Sequence, residues 1–194
     1  MDIQNAKVYG LDNAIKCSKY PMSVDINDCN YDVTNTVKAL GKSKQGSGED
    51  NYLKGIIVQF DLTFSIKAWI EAERYHFLEF ISSQSTMHKI TKMDVAKQCN
   101  EYVDPRVIAV LKEKVCIYNS IEDKSSDEAK RAFLTCVYNI PTGFELTAGM
   151  TTNYQQLKTI YYQRRYHRLP EWRVFCKWIE GLPKFKELIL GGND

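Results

Sequence analysis

Two stretches of the chain alternate apolar and polar residues with the period of two that is typical of a half-buried strand. In the first stretch, residues 55–65, the alternating apolar positions are Ile56, Val58, Phe60, Leu62 and Phe64. In the second, "GFELTAGM" at residues 143–150, they are Phe144, Leu146, Ala148 and Met150. The pattern therefore predicts one strand in each stretch.

Elsewhere the apolar positions recur at helical spacings. Directly after the first strand, residues 66–82 place apolar side chains three, four and seven positions apart, which predicts one amphipathic helix. Its apolar positions are Ile66, Trp69, Ile70, Phe77, Phe80 and Ile81. The opposite side carries Lys67, Glu71, Arg74 and Leu78. A shorter helix is predicted over residues 11–20, whereas residues 21–40 give no clear prediction.

Four further helices have start signals in the sequence. Three of them follow a capping residue, namely Asp104 before Pro105, Ser125 with Glu128, and Asn153 with Gln156. The fourth begins at Pro170, because proline is favoured at the first position of a helix. The last helix is predicted to stop at Gly181 and Pro183. The fold class is therefore α/β or α+β, with central strands packed against several helices.

Residues 41–51, "GKSKQGSGEDN", have the composition of a flexible loop, with three glycines, two serines and no apolar anchor. This loop would be either a mobile lid or a long connection between two elements. The chain of 194 residues is long enough for one domain with a sizeable core, so we expect residues 1–194 to form a single domain.

Composition narrows the class of protein. The hydrophobic fraction of 44% and the charged fraction of 26% are ordinary for a globular protein, and the net charge of +2 gives no global basic field. No apolar run has the length of a membrane span, and the first residues do not resemble a signal peptide. We therefore expect a cytoplasmic protein without a membrane partner.

The six cysteines do not have metal-site spacing. No CxxC pair occurs, and the three histidines form no metal motif, so no metal is expected. Three of the cysteines lie in apolar-periodic stretches and are predicted to be small core residues: Cys116, Cys136 and Cys176.

Two segments are candidates for ligand binding. Residues 82–86 contain four hydroxyl side chains, which could face a ligand or only form a turn. The segment "YYQRRYHRLPEWR", residues 161–173, places Arg164, Arg165 and Arg168 before the predicted helix at Pro170. Arginines beside a helix N-terminus suit an anion. The alternatives are a solvated linker and a site for single-stranded nucleic acid, which would need a longer basic track.

Three segments resemble the flavin-dependent thymidylate synthases, the ThyX family. "FSIKAWIEAERYHF" is similar to the family's strand-to-helix segment, and "NAIKCSKYPMS" to its N-terminal helix. "YNIPTGFELTAGMTTNYQQLKTIYYQRR" is similar to the later segment with the pattern NxRxLxxFxxLR, in which Asn153, Leu157 and Arg164 fall in step. The order of the predicted elements also resembles that family over most of the chain, which implies a ThyX-like fold.

The family's signature, RHRxxSxxxxSxR, is largely replaced here. Leu78, Glu79 and Phe80 take the RHR places, and Ser83 matches the first serine. His88 replaces the second serine, and an isoleucine replaces the last arginine. Because each lost charge-assisted hydrogen bond costs about 1.5–3 kcal/mol, we expect the loss of several to abolish FAD binding in the family's usual pose.

The resemblance also implies site residues. Substrate binding, to a dUMP-like pyrimidine deoxynucleotide or another small anion, is implied for Arg74, Ser83, Ser85, Arg164 and Arg165. Cofactor positions are implied for Tyr75, His76, Glu79 and His88. Proton transfer is assigned among Tyr75, His76 and His88, and no catalytic residue is fixed by a motif.

Three functions remain open at this point. The first is a ThyX-like one-carbon transferase with an altered or lost flavin site, and the second is a non-catalytic or regulatory nucleotide binder on the same scaffold. The third is an interaction module for nucleic acid or protein, which the small net charge disfavours. The resemblance further implies a homotetramer, and a divergent copy of this kind is compatible with a phage or another mobile element.

Overall fold

The computed structural model describes residues 1–192, and within them the chain forms four strands and nine α-helices. The strands are β1 (Asp2–Tyr9), β2 (Ile57–Ser65), β3 (Glu79–Ser83) and β4 (Glu145–Asn153). The helices before β3 are α1 (Leu11–Cys17), α2 (Asn35–Lys42) and α3 (Ile66–Ala72). The helices after it are α4 (Thr86–Lys89), α5 (Val95–Gln98), α6 (Pro105–Ser120), α7 (Asp127–Tyr138), α8 (Tyr154–Arg164) and α9 (Pro170–Glu180). The predicted mixed class is confirmed.

The four strands form one sheet in the order β1-β2-β4-β3. Its central strands are antiparallel, because the Ile66 amide donates to the Phe144 carbonyl and the Tyr154 amide donates to the Ile56 carbonyl. Residue numbers therefore rise along β2 while those of its partners on β4 fall. β3 lies at one edge of the sheet, and all five of its residues are exposed.

Contacts divide the chain into two units. The first unit comprises Met1–Asp2, Leu62–Glu73 and Ser82–Ala148. It contains α3 to α7, and its core is a cluster of buried side chains from Ile90, Val95, Leu111, Val115, Cys136 and Phe144. The α6 helix begins as predicted, because the Asp104 carboxylate accepts a hydrogen bond from the Arg106 amide at 2.8 Å.

The second unit comprises Ile3–Asp61, Arg74–Ile81 and the chain from Gly149 onwards. It contains α1, α2, α8 and α9, and aromatic rings fill much of its core. The Phe60 ring lies 4.7 Å from the Trp178 ring and 5.9 Å from that of Phe175, measured between centroids. Because β2 and β4 each run from one unit into the other, the expectation of a single domain stays a prediction.

The alternation that predicted β2 is confirmed by burial. Val58, Phe60, Leu62 and Phe64 are all buried, with less buried side chains between them. The second strand is also present, but it begins and ends later than the alternation indicated, at Glu145–Asn153. The last buried position on that strand is Thr152, a polar residue that a hydrophobic pattern cannot detect.

The prediction of one helix over residues 66–82 is wrong. The α3 helix ends at Ala72, and Glu79–Ser83 form the edge strand β3. The four side chains predicted to face inward after Trp69 are exposed, namely Ile70, Phe77, Phe80 and Ile81, whereas Leu78 is buried. Phe and Ile favour strands, and pairing at the sheet edge outweighs the helical spacing of these positions.

Three smaller predictions also need correction. The helix predicted over residues 11–20 is shorter, because it ends at Cys17. Cys116 is exposed rather than buried, while Cys136 and Cys176 are buried as predicted. The predicted loop 41–51 is shorter at both ends, because its first two residues belong to α2 and Asn51 begins a 3₁₀ turn. Within residues 1–192, no helix is long and apolar enough to cross a membrane.

The start of α7 allows a direct test of one correction. The Ser126 hydroxyl, not that of Ser125, caps this helix by accepting a hydrogen bond from the Ala129 amide at 3.1 Å. We expect Ser126→Ala to lower the free energy of unfolding by about 1 kcal/mol, and Ser125→Ala to change it by less than about 0.5 kcal/mol. Urea denaturation measures both values, and a larger loss in Ser125→Ala would contradict the assignment.

Candidate functional site

The second unit contains two neighbouring cavities that share the Phe77 ring. The first cavity has a volume of about 370 Å³ and lies between the loop before β2 and the first turns of α8. Its polar lining comes mainly from Gln45, Asp50, Asn51, Lys54, Gln155, Gln156 and Thr159. The second cavity, of about 180 Å³, is lined by Ile57, Phe77, Glu79, Thr151, Thr152 and Asn153.

The loop that forms one wall of the larger cavity depends on two glycines. Gly46 and Gly48 have φ angles of +81° and +84°, in the left-handed region where a side chain is strained. Two residues further on, the Asp50 side chain is buried. This composition allows the loop to reverse direction, so that a carboxylate points into the protein instead of into solvent.

A buried ion pair fixes that loop against α8. The Asp50 carboxylate lies 2.6 Å from the Lys158 ammonium, and each side chain is only 2% exposed. The ammonium also donates to the Ser43 carbonyl at 2.7 Å. Because the two ends of the loop are held by one lysine, the cavity wall has a defined position relative to the helix.

The second oxygen of Asp50 sets the orientation of a neighbouring amide. Gln155 Nε2 donates to Asp50 Oδ1 at 2.8 Å. An ionised carboxylate only accepts hydrogen bonds, so the NH₂ end of Gln155 must face Asp50. The Gln155 side chain therefore has its carbonyl oxygen left as an acceptor beside the cavity.

Burial and the Asp50 charge also raise the pKa of Tyr52 above its usual range.

The start of α8 positions this wall. Asn153 Oδ1 accepts from the Gln156 amide at 2.9 Å, which confirms the predicted cap. The helix buries the apolar side chains of Tyr154, Leu157, Ile160 and Tyr161. Gln155 and Thr159 lie on the side that borders the cavity.

Arg164, predicted to bind substrate, is buried and bound to protein groups. Its Nε donates to the Tyr75 hydroxyl at 2.7 Å, and its Nη1 lies 2.7 Å from Nε2 of His167. Its guanidinium also lies 4.8 Å from the centroid of the Trp172 ring. The structure thus brings together two predicted residues, Arg164 and Tyr75, in a contact that holds the turn between α8 and α9.

The other predicted residues are spread over both units. In the second unit, Arg74 and His76 are exposed, and Arg165 is half-buried among tyrosine rings. The remaining three belong to the first unit and are the exposed Ser83 and His88 and the half-buried Ser85. Among the nine predicted positions, all within the described chain, Glu79 alone lines either of the two cavities.

Sequence reasoning missed the residues that build the larger cavity. Asp50 and Lys158 are 108 positions apart, so no local motif connects them. The sequence did contain one signal for this pair. Lys158 is next to Leu157 among the inward-facing positions of α8, and a lysine at such a position needs a buried partner. Phe77 was assigned to a helix face, so its place beside the cavity could not be predicted.

The two cavities are lined mainly by hydrogen-bonding side chains and by the aromatic ring of Phe77. Burial raises the pKa of Cys176 to about 12, so this thiol stays protonated at neutral pH. Within residues 1–192, no group of three or more histidine, cysteine or acidic side chains could hold a metal ion. The arrangement is therefore suited to recognising a small polar ligand.

The buried ion pair predicts a large stability effect. We expect Lys158→Met to lower the free energy of unfolding by about 3–5 kcal/mol, because it leaves the Asp50 carboxylate buried without a counter-charge. The double variant Asp50→Asn, Lys158→Met should be more stable than Lys158→Met alone. Denaturation of all four proteins in the cycle measures this coupling.

A matched control removes an exposed lysine. Lys130 pairs with Asp127 at the surface, so Lys130→Met should change stability by less than about 1 kcal/mol. Equal losses in Lys130→Met and Lys158→Met would contradict a special role for the buried pair.

Comparison with known proteins gives matches at the level of three-dimensional structure. No family model matches the chain, and no curated protein matches its sequence. The ThyX enzyme of Helicobacter pylori complexed with FAD and dUMP superposes with a TM-score of 0.69 and 12% identity, over 97% of this chain and 100% of its own.

Two further structures agree. Another structure of the H. pylori enzyme with FAD and dUMP gives a TM-score of 0.70 at 12% identity, covering 95% of both chains. The UMP/dUMP methylase PolB of Streptomyces cacaoi, bound with 5-Br dUMP, gives 0.63 at 15% identity, over 97% of this chain and 92% of its own. These similarities confirm the predicted fold: the chain has a divergent form of the fold found in the flavin-dependent thymidylate synthases.

Proposed function

We propose that the protein binds a pyrimidine deoxynucleotide in the larger cavity of the second unit. The observation that carries this proposal is the set of four amide side chains around one cavity, those of Gln45, Asn51, Gln155 and Gln156. Amides present a donor and an acceptor side by side, which matches the edge of a nucleobase. The volume of about 370 Å³ lies at the lower end of the range for small-molecule sites, which suits one nucleotide.

The fixed amide of Gln155 favours a base with a ring N–H. Because its nitrogen is held by Asp50, its oxygen is available to accept a hydrogen bond from the N3–H of uracil or thymine. Cytosine has no hydrogen at that ring nitrogen. The half-exposed Phe77 ring supplies an apolar face on which a base can stack.

The remaining lining groups also fit a nucleotide. Lys54 contributes a positive charge beside the cavity. In the smaller cavity, the Thr152 hydroxyl is buried and has no hydrogen-bond partner within residues 1–192, so it is available to a ligand group. The similarity of fold to proteins whose structures contain dUMP or 5-Br dUMP supports the same ligand class.

The residues at the family's RHR places do not fit the diphosphate of FAD. Leu78 is buried as a core side chain, and Glu79 lines the smaller cavity with a carboxylate. A carboxylate there would repel a diphosphate instead of donating hydrogen bonds to it. These residues therefore favour nucleotide binding over a thymidylate synthase-type transfer that uses flavin in the family's usual pose.

The homotetramer implied by the resemblance stays a prediction, and one feature supports an assembly of copies. The edge strand β3 is exposed along its whole length, and Phe80 and Ile81 are each more than half exposed on it. An apolar strand at the edge of a sheet is a template for pairing with another chain. The cytoplasmic location likewise stays a prediction.

Nucleotide binding predicts a specific stabilisation. We expect dUMP at a hundred times its dissociation constant to raise the free energy of unfolding by about 2.7 kcal/mol, because it binds the folded state alone. dCMP should bind more weakly, since it cannot donate from N3. Gln155→Leu should reduce the affinity for dUMP by about 3- to 10-fold and remove most of this discrimination, as measured by calorimetric titration.

The matched control is Gln163→Leu, on the same helix but outside the lining of both cavities. This substitution removes an acceptor of the Tyr75 hydroxyl and should leave the ratio of dUMP to dCMP affinity unchanged. No stabilisation by any pyrimidine nucleotide, or an equal loss of discrimination in both variants, would remove the proposal.

The replaced signature predicts a protein without bound flavin. We expect the purified protein to be colourless and to give no calorimetric signal on titration with FAD, because Glu79 opposes the diphosphate. The variant Glu79→Gln removes that repulsion and should bind FAD no worse than the natural chain. Retention of FAD through purification would contradict this account.

A further inference from the structure

The smaller cavity borders a buried hydroxyl that the protein leaves without a hydrogen bond. Thr152 is 4% exposed, and its Oγ1 has no hydrogen-bond partner within residues 1–192. A buried polar atom without a partner costs free energy, and most buried polar atoms of folded proteins are therefore paired. Because Thr152 lines the cavity of about 180 Å³, a ligand in that cavity can supply the missing partner.

A carboxylate lies beside this hydroxyl. Just after β3, the Gln84 amide donates to the Thr147 carbonyl at 2.9 Å, and β3 is the neighbour of β4 in the sheet. In an antiparallel pairing, five residues along each strand bring Glu79 opposite Thr152, whereas a parallel pairing would bring Glu79 beside residue 142, outside β4. Both residues line the smaller cavity, so the pairing is antiparallel. Directly opposite side chains share one face of a sheet, with their β carbons about 4.5–5.5 Å apart.

These two side chains favour one kind of ligand group. Within residues 1–192, the Glu79 carboxylate forms neither an ion pair nor a side-chain hydrogen bond. An ionised carboxylate only accepts hydrogen bonds, whereas the hydroxyl of Thr152 donates or accepts one. An alcohol hydroxyl satisfies both, because it can donate to Glu79 and accept from Thr152. A phosphate does not fit, because the charge of Glu79 repels it.

The position of the cavity identifies the hydroxyl. The Phe77 ring lines both cavities, so a ligand whose base stacks on this ring extends from the larger cavity into the smaller one. The group attached to the base of a nucleotide is the pentose, which carries a 3′-hydroxyl. Lys54 lines the larger cavity and Glu79 the smaller one, so the 5′-phosphate is favoured on the side away from Glu79.

We infer that Thr152 and Glu79 bind the 3′-hydroxyl of the nucleotide whose base occupies the larger cavity, and that the site therefore selects free mononucleotides. A nucleotide within a nucleic-acid strand carries a phosphate ester on its 3′-oxygen, and this phosphate would lie against the Glu79 carboxylate. The inference rests on the proposed function and names the substrate class of the same site.

The test compares three ligands that share the base and the 5′-phosphate. They are dUMP, its 2′,3′-dideoxy analogue, which lacks the 3′-hydroxyl, and deoxyuridine 3′,5′-bisphosphate. In calorimetric titration of the natural chain, the dideoxy analogue should bind about 10-fold more weakly than dUMP, because a hydrogen bond to a carboxylate is lost. The bisphosphate should also bind more weakly than dUMP, because Glu79 repels its 3′-phosphate.

Two substitutions separate ligand recognition from support of the fold. Thr152→Val keeps the shape of the side chain and should reduce the affinity for dUMP by about 3- to 10-fold, with no change for the dideoxy analogue. Because this variant also removes an unsatisfied buried hydroxyl, it should raise the urea midpoint of the ligand-free protein. Glu79→Gln removes the repulsion and should bind the bisphosphate more tightly than the natural chain does.

The matched controls are Thr63→Val and Glu101→Gln, which lie outside the lining of both cavities. The Thr63 hydroxyl is hydrogen-bonded to that of Thr147 at 2.7 Å, so Thr63→Val should lower the urea midpoint instead of raising it. Glu101 is exposed in the first unit. Neither control should change the ratios among the affinities for the three ligands.

Three results would overturn the inference while the proposed function stands. The first is equal affinity of the natural chain for dUMP and its dideoxy analogue. The second is no gain in bisphosphate binding in Glu79→Gln, and the third is a lower urea midpoint in Thr152→Val, which would mean that its hydroxyl is already satisfied. If no pyrimidine nucleotide binds the natural chain, the proposed function fails, and this inference fails with it.

Discussion

The ion pair between Asp50 and Lys158 connects the fold of the second unit to its cavity. Both side chains are almost wholly buried, and the lysine also binds the carbonyl of Ser43 at the beginning of the loop. Taking two charges out of water is costly, so a buried ion pair is stable only when its geometry is good and its remaining lone pairs and protons form hydrogen bonds. Here the remaining carboxylate oxygen is used by Gln155, which fixes the amide that faces the cavity.

Much of the fold could be predicted because it follows from local chemistry. The alternation in β2 and the cap at Asn153 are readable from neighbouring residues, and both are confirmed. The edge strand β3 could not be predicted, since its apolar residues fit a helical spacing and its true partner is β4, distant in sequence. An exposed strand also lacks the buried-face alternation on which strand prediction depends.

The candidate site was less predictable than the fold. Arg164 was singled out for its position before a helix, but it is buried, and its Nε and Nη1 bind Tyr75 and His167 within the protein. Arg165, one residue further on, forms no ion pair within residues 1–192 and is half-buried against the rings of Tyr162 and Tyr166. Sequence cannot separate two adjacent arginines, because the difference arises from the rings and hydroxyls that tertiary packing places around each.

The central claim is that the cavity beside Phe77 and Gln155 binds a pyrimidine deoxynucleotide. A crystal structure of the protein soaked with 5-bromo-dUMP tests this claim most directly, because anomalous scattering locates the bromine without reference to the protein. The account predicts a single strong bromine peak within this cavity, next to the Phe77 ring. A peak elsewhere on the protein, or no peak in crystals that remain well ordered, would contradict it.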